Sequence, residues 1–424
     1  MKRRLAGLAG LGALAALLGA LYFVSMPAPL EGQGRRFVVL ALGLDRIEPG
    51  AVDAYFGPPD LRDKVVPAPT LAGLRADLVR LGRDVAADAP SPRRNRLAAR
   101  VAHLIALSDA MAGPHAMSFD DQARRIFGVT PSAPDPARLA ALRDALTAAL
   151  PGPGALSDRL AAFRARFVIP PDRRKAVFQR ALAGCRARTL VHSGAHWHLP
   201  PEEKLTVEWT DDVGAAWQRY QGDDRSLLQV NPDGVAYIGT ALDVACHEAY
   251  PGHHAQFLLW TAAAPLPVED TVVILRSPDQ LLREGAANYG VDLAFPPKDR
   301  LAFQRDVLFP LAGFDPALAA QYVRVHALAG EMALAATPIL RDFYDGRTTP
   351  FDAGYALERR AMIASPQALL QFTYKYGAYA LGYSVARDLV QACVAARGKT
   401  TGRWRTLADI LSTMDVSALR GGAC

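Results

Sequence analysis

HEAYPGHH, residues 247–254, lies inside the mostly apolar run ALDVACHEAYPGHHAQFLLW, residues 241–260. It opens with the His-Glu pair that begins a two-histidine metal motif on a helix. The fourth residue after His247, however, is Pro251, and the next histidines are His253 and His254. In a regular α-helix, residues i and i+4 lie about 40° apart and about 6 Å along the axis. Two imidazoles can then share one ion at about 2.0–2.1 Å. Residues i and i+6 fall on nearly opposite faces, and i and i+7 lie about 10 Å apart along the axis. An unbroken helix therefore cannot join His247 to either later histidine. Pro251 argues against an unbroken helix, because it has no N–H and its ring clashes with the carbonyl of His247. Gly252 accepts φ angles that other residues resist. The expected result is a bulge at Pro251-Gly252 that absorbs the extra residues. His253 then falls where the i+4 ligand belongs, and His254 points elsewhere, to a supporting carboxylate or a substrate. The reverse assignment, with His254 as the ligand, stays open at this point. Glu248 follows the first ligand and is the general-base candidate, able to take a proton from a water at the open metal position.

Two histidines need a third ligand. LLREGAANYG, residues 281–290, offers Glu284 on a helix. Glu284, Asn288 and Asp292 share one helical face at i, i+4 spacing. Gly285, Ala286 and Ala287 beside Glu284 are small enough for the motif helix to approach closely. Other histidines carry less. HSGAHWH, residues 192–198, brings His192, His196 and His198 together, but Pro200 and Pro201 follow and a surface loop is expected. His326 shares a helix face with Tyr322 and is read as a core histidine. No glycine-rich phosphate loop and no Gly-x-Ser-x-Gly elbow is found.

Working outward, residues 71–190 carry apolar residues at helical spacing, as in LAGLRADLVRLGRDVAAD and RNRLAARVAHLIALSDAMAG. Ser118 and Asp135 stand where helix caps belong. KLTVEWT (204–210) and RSLLQVNPDG (225–234) read as strands. Downstream, residues 315–346 and 365–398 each read as long helices. The fold class expected is mainly α, with a small β-sheet beside the motif helix. The expected division is an N-terminal segment over 1–31, a helical lobe over 32–200 and the motif-bearing lobe over 201–424.

The N-terminus has MKRR followed by LAGLAGLGALAALLGALYFV, residues 5–24, with no charge. Such a stretch spans about 30 Å, the thickness of a bilayer core. We read it as an uncleaved signal-anchor helix that exports the rest of the chain, with a cleaved signal peptide as the rival. PAPLEGQG, residues 27–34, reads as a linker. The net charge of +6 is partly Lys2, Arg3 and Arg4, and no basic run with interleaved aromatics suggests nucleic acid as a partner. Four cysteines make no disulfide framework for 424 residues, and Cys246 reads as a small buried residue, although export permits a bridge.

The sequence resembles the family of domain of unknown function 885, zinc metallopeptidases with the pattern His-Glu-x-x-Pro-Gly-His-His, related to the mainly helical neurolysin-like and Taq-carboxypeptidase-like zincins. VDAYFGPPDL, RSLLQVN, ALDVACHEAYPGHH and REGAANY carry the likeness, which covers most of the exported chain. It implies a large helical gluzincin, with zinc on His247, His253 and Glu284 and Glu248 as catalytic base. It implies that RSLLQVN is the edge strand beside the cleft, with Asn231 at its end binding substrate. It also implies that the helical lobe walls a deep cleft suited to short peptides. A tyrosine near the C-terminus would donate to the oxyanion; Tyr374 is the candidate and Tyr376 its substitute, with Tyr379 and Tyr383 nearby. Two departures stand out. Ala286 occupies a place where many members carry an aromatic residue, and SPQALLQFTYKYG lacks a glycine of the family's Pro-Gly-Gln-Ala pattern. The function implied is hydrolysis of short peptides outside the cytoplasm, at the inner membrane. The rivals are a zinc amidase on a non-peptide or cell-wall amide, and an inactive membrane-anchored binding module.

Overall fold

The computed structural model describes residues 29–424 apart from Pro114, His198, Ala263 and Ala264. The apolar stretch 5–24 and His198 therefore lie outside the described residues. Among the described residues, no helix is long and apolar enough to cross a membrane.

The chain is mainly helical, with little sheet. It forms two compact units that do not divide at residue 200. Of the described residues, one comprises 29–49, Gly57–Ile105 and Leu266–Val272; the other comprises Gly50–Phe56, Ala106–Pro265 and Val273–Cys424. The first unit is interleaved because a distant segment returns to it. Arg93 binds Glu269, and Arg100 binds Asp270, across some 170 residues of sequence. Its helix Pro29–Ile47 includes most of the stretch read as a linker. It buries Phe37, Val38, Ala41 and Leu44, while helix Leu71–Ala87 buries Leu74, Leu78, Leu81 and Val85 at i, i+4 and i+3 steps. The Thr70 hydroxyl accepts from the Gly73 N–H and starts that second helix.

The second unit holds the motif. β1 (Val52–Tyr55) lies beside a late strand, with the Leu275 N–H donating to the Ala51 carbonyl. β2 (Lys204–Trp209), β3 (Ala216–Gly222) and β4 (Arg225–Val230) form a three-stranded sheet in the order β2-β4-β3. β4 runs parallel to β2 and antiparallel to β3. This corrects one expectation: RSLLQV is the central strand, and the edge belongs to β3. Asp223 and Asp224 both take positive φ in the tight turn between β3 and β4. The caps expected at Ser118 and Asp135 are present, each accepting a backbone N–H of its helix.

The two long C-terminal helices expected are each broken. Residues 315–346 divide into Ala319–Met332 and Ala336–Tyr344, with short 3-10 turns. Residues 365–398 divide at Gly377, whose φ is +58° and where a Cβ would meet Gln122 Oε1 at 2.0 Å. The cysteines are also corrected: Cys185 bonds Cys246 and Cys393 bonds Cys424. The first bridge ties helix Pro171–Ser193 to the motif helix one residue before His247.

Candidate metal centre

The motif helix, Ile238–Glu248, stops where Pro251 forbids its continuation, and a second helix, His253–Ala262, starts two residues beyond the proline. The break is wider than a bulge. The Gly252 N–H reaches back to the Cys246 carbonyl (3.1 Å) and the Ala255 N–H to the Ala249 carbonyl (3.0 Å), six residues each. The Tyr250–Pro251 bond is cis. A Cβ on Gly252 would fall 1.7 Å from the His247 carbonyl oxygen, so only glycine fits there. Pro251 packs on Gly290 of helix Pro278–Ala294, where a Cβ would meet its ring at 2.8 Å. Gly285, by contrast, admits the backbone of Ala386 rather than the motif helix.

This break brings His247 and His253 to one place, facing Glu284. The donor atoms of the three all lie within 4.8 Å of one another. His247 Nε2 is 3.3 Å from Glu284 Oε2, and His253 Nε2 is 3.6 Å from Glu284 Oε1. A tetrahedral site with bonds of about 2.0–2.1 Å has edges of about 3.3 Å, so these separations fit a zinc ion. Glu284 Oε2 is buried and has no hydrogen-bond partner, as a ligand oxygen awaiting a cation requires. Among the described residues, no other group of three His, Cys, Asp or Glu converges in this way.

The surroundings orient the set. Asn288 Nδ2 donates to the Gly382 carbonyl (3.3 Å), which turns Asn288 Oδ1 toward His247 Nδ1 (3.1 Å). His247 Nδ1 must then carry the proton, leaving Nε2 as the ligand atom. The Tyr379 hydroxyl donates to Glu284 Oε1 at 3.1 Å. Burial would raise the Glu284 carboxyl, but the rings of His247 and His253 outweigh it and hold it well below its ordinary value. Burial would likewise lower His247, yet the Glu284 carboxylate pushes it up to about 9, with Glu248 and Asn288 adding to the effect.

His254 points away and is fully buried. Its Nδ1 meets the Ser226 hydroxyl (2.8 Å) and its Nε2 meets Glu203 Oε2 (2.9 Å). The sequence reading missed Glu203. It also accepts from the Tyr250 hydroxyl and from Arg186; against the opposing effect of burial, His254 first and then these two bring its carboxyl down to about 2. Glu203 thus fastens both sides of the Pro251 break through Tyr250 and His254.

Glu248 is buried beside the cleft, and its Oε2 accepts the Gln218 N–H of edge strand β3 at 3.1 Å. The cleft is a cavity of about 620 Å³ lined by the three candidate ligands, Glu248, residues 212–218, Asp53, Gln280 and the rings of Phe372, Tyr376, Tyr379 and Tyr383, among others. Tyr374 is not on that lining: it is 60% exposed and lies against His115. The turn at Gly377 separates it from the tyrosines that enter the cleft. Asn231 does not line the cleft either. Its Nδ2 donates to the Val213 carbonyl, and its Oδ1 accepts from the Asp233 and Gly234 N–H groups. It shapes the 213–215 loop that does line the cleft. His192 sits 3.7 Å from Asp299 and stacks on Trp404, and His326 binds Asp243 at 2.6 Å.

No family model matches the sequence, and no curated protein matches it. Two solved structures are similar. One is described as a "putative lipoprotein" from Colwellia psychrerythraea, at 17% identity and a TM-score of 0.50, covering 85% of this chain and 64% of that one. The other is described as a "putative lipoprotein of unknown function" from Shewanella oneidensis, at 14% identity and a TM-score of 0.47, covering 85% of this chain and 74% of that one. This chain thus spans less than two thirds of the Colwellia protein.

Proposed function

We propose that the protein is a zinc-dependent metallopeptidase of the zincin type that hydrolyses short peptides outside the cytoplasm. The observation that carries this reading is the convergence of His247, His253 and Glu284 at tetrahedral-edge separations in one cleft, next to Glu248. A zinc ion there would supply Lewis-acid polarisation of a substrate carbonyl and would lower the pKa of a water.

The chain's own residues do the rest. Glu248, anchored by the Gln218 N–H, takes the proton of the attacking water and passes it to the leaving nitrogen. Asn288 and Tyr379 keep His247 and Glu284 aimed. Tyr383 replaces Tyr374 as the proposed donor to the carbonyl oxygen as charge develops on it. It lines the cleft, and the nearby Glu284 charge keeps its hydroxyl protonated. Edge strand β3 lines the cleft at Ala216, beside the Gln218 N–H that Glu248 occupies, and offers an extended peptide a backbone partner there.

Export is supported by the uncharged stretch 5–24 behind Lys2 to Arg4, and by two disulfides, which persist in oxidising compartments. The lipoprotein description of the Colwellia neighbour agrees with a membrane-associated location. The test is digestion of a short-peptide library by the zinc-loaded chain and by Glu248→Gln. Cleavage by the first and not the second is expected. Hydrolysis of non-peptide amides alone would favour the amidase. No hydrolysis, with Glu248→Gln as effective in cells as the native chain, would favour a binding module.

A further inference from the structure

Asp53 stands on β1 and faces the cleft that holds the three candidate ligands. Its two oxygens are held by neutral donors. Trp217 Nε1 donates to Oδ1 at 3.1 Å, and Gln280 Nε2 donates to Oδ2 at 3.1 Å. Among the described residues, no lysine, arginine or histidine forms an ion pair with it. Arg219 stacks over the Trp217 ring, 4.4 Å from its centroid, and acts on Asp53 only through space. A half-buried carboxylate with no counter-ion in contact has charge left to balance, and the desolvation of the cleft pushes the Asp53 carboxyl above its ordinary value.

A second observation points the same way. Because Gln280 Nε2 faces the Asp53 carboxylate, its Oε1 is turned to the other side. That oxygen is buried and has no hydrogen-bond partner. Ser277 caps the helix at the Gln280 N–H, and Gln280 is only 4% exposed, so the amide is fixed in place. One carboxylate with spare lone pairs and, on the amide that holds it, one unpartnered carbonyl oxygen match a group that offers three donors and a positive charge.

We propose that Asp53 and Gln280 form the subsite for a primary ammonium group, so that the protein takes peptides with a free amino terminus and cuts near that end. Asp53 and Gln280 line the same cleft as His253 and Glu284, which sets an amine bound there near the scissile carbonyl. The proposal rests on the metallopeptidase reading for the word "cuts", and on the cleft alone for the ammonium site.

The test uses the full chain loaded with zinc and one short peptide in three forms: free amine, N-acetylated, and N-acetylated with an internal lysine. kcat/KM is read for each, and binding of the same peptides to Glu248→Gln is read by calorimetry. Acetylation should lower both kcat/KM and affinity by about 30-fold or more, the scale of removing one partner of a buried charge pair. Asp53→Asn should abolish the preference for the free-amine peptide, bringing its ratio to the acetylated peptide close to one. Gln280→Leu should act in the same direction, and it stands in if Asp53→Asn melts early. Recovery by the internal lysine would overturn the amino-terminal assignment. Equal cleavage of free and acetylated peptides would overturn the ammonium site and leave the peptidase reading intact. If no form is cut, yet Glu248→Gln still prefers the free amine, the ammonium site stands and the peptidase reading falls.

Discussion

Asn288→Leu separates the orientation of the metal ligands from their identity. Asn288 touches no metal position itself; it holds His247 Nδ1 at 3.1 Å and is itself held by the Gly382 carbonyl. Leucine preserves the approximate volume and removes the acceptor. With Nε2 committed to an ion, the imidazole cannot rotate to find another partner for its Nδ1–H. In the metal-free protein only the Glu284 contact holds Nε2, and the ring can shift within it, so the loss falls mainly on the loaded state. An unsatisfied buried donor costs about 1–3 kcal/mol. At about 1.4 kcal/mol per decade this is a loss of about 5- to 150-fold in zinc affinity, in line with the 10- to 100-fold typical of supporting residues. The assay is competition for zinc against a chelating dye, with circular dichroism to confirm the fold. Asn288→Asp, which keeps an acceptor, should stay within about threefold of the native chain, well inside the range expected for loss of the acceptor. Unchanged affinity in Asn288→Leu would refute the orientation argument.

Two further outcomes follow from the same geometry. In the metal-free chain His247 keeps its proton up to about pH 9, against an ordinary value of 6.5, so zinc must displace a proton below that pH. Affinity should climb through pH 6.5–9 and level off above it, while the stability of the metal-free chain falls over the same window; a pH-independent affinity would contradict the His247–Glu284 pairing. The Cys185–Cys246 bridge closes a loop of 61 residues, for which chain entropy gives about 4 kcal/mol. Replacing both cysteines by alanine should lower the denaturant midpoint accordingly, and a shift under about 1 kcal/mol would show that the bridge adds little.

The sequence announced the helix break at Pro251-Gly252 because the reason is local: a missing N–H and a ring clash. Glu284 was legible as the third member of the cluster because it sits on a helix at a readable distance from the motif. The choice between His253 and His254 was not legible. It depends on Glu203 and Ser226, and no periodicity links either of them to the motif. β3 is hard to see because its turn is Asp223-Asp224, where Asn-Gly would signal a hairpin, and the resemblance that implies an edge for RSLLQV carries no sign of the pairing that makes it central. The break at Gly377 was hidden because its cause is a distant side chain, Gln122, packed against the glycine. Tyr374 was therefore assigned a place in the cleft that Tyr376, Tyr379 and Tyr383 occupy. Asn231 looked available because its turn partners, Val213 and Gly234, are visible only once the loop has closed.

Metal content is the measurement that bears most directly on the central claim. The chain should be purified without a chelator or a polyhistidine tag and its metals counted by elemental mass spectrometry, beside His253→Ala and Glu284→Ala. The account predicts about one zinc per native chain, lost in both variants. A native chain that holds no metal after zinc is offered and the excess washed away would contradict it, as would full zinc content in the variants.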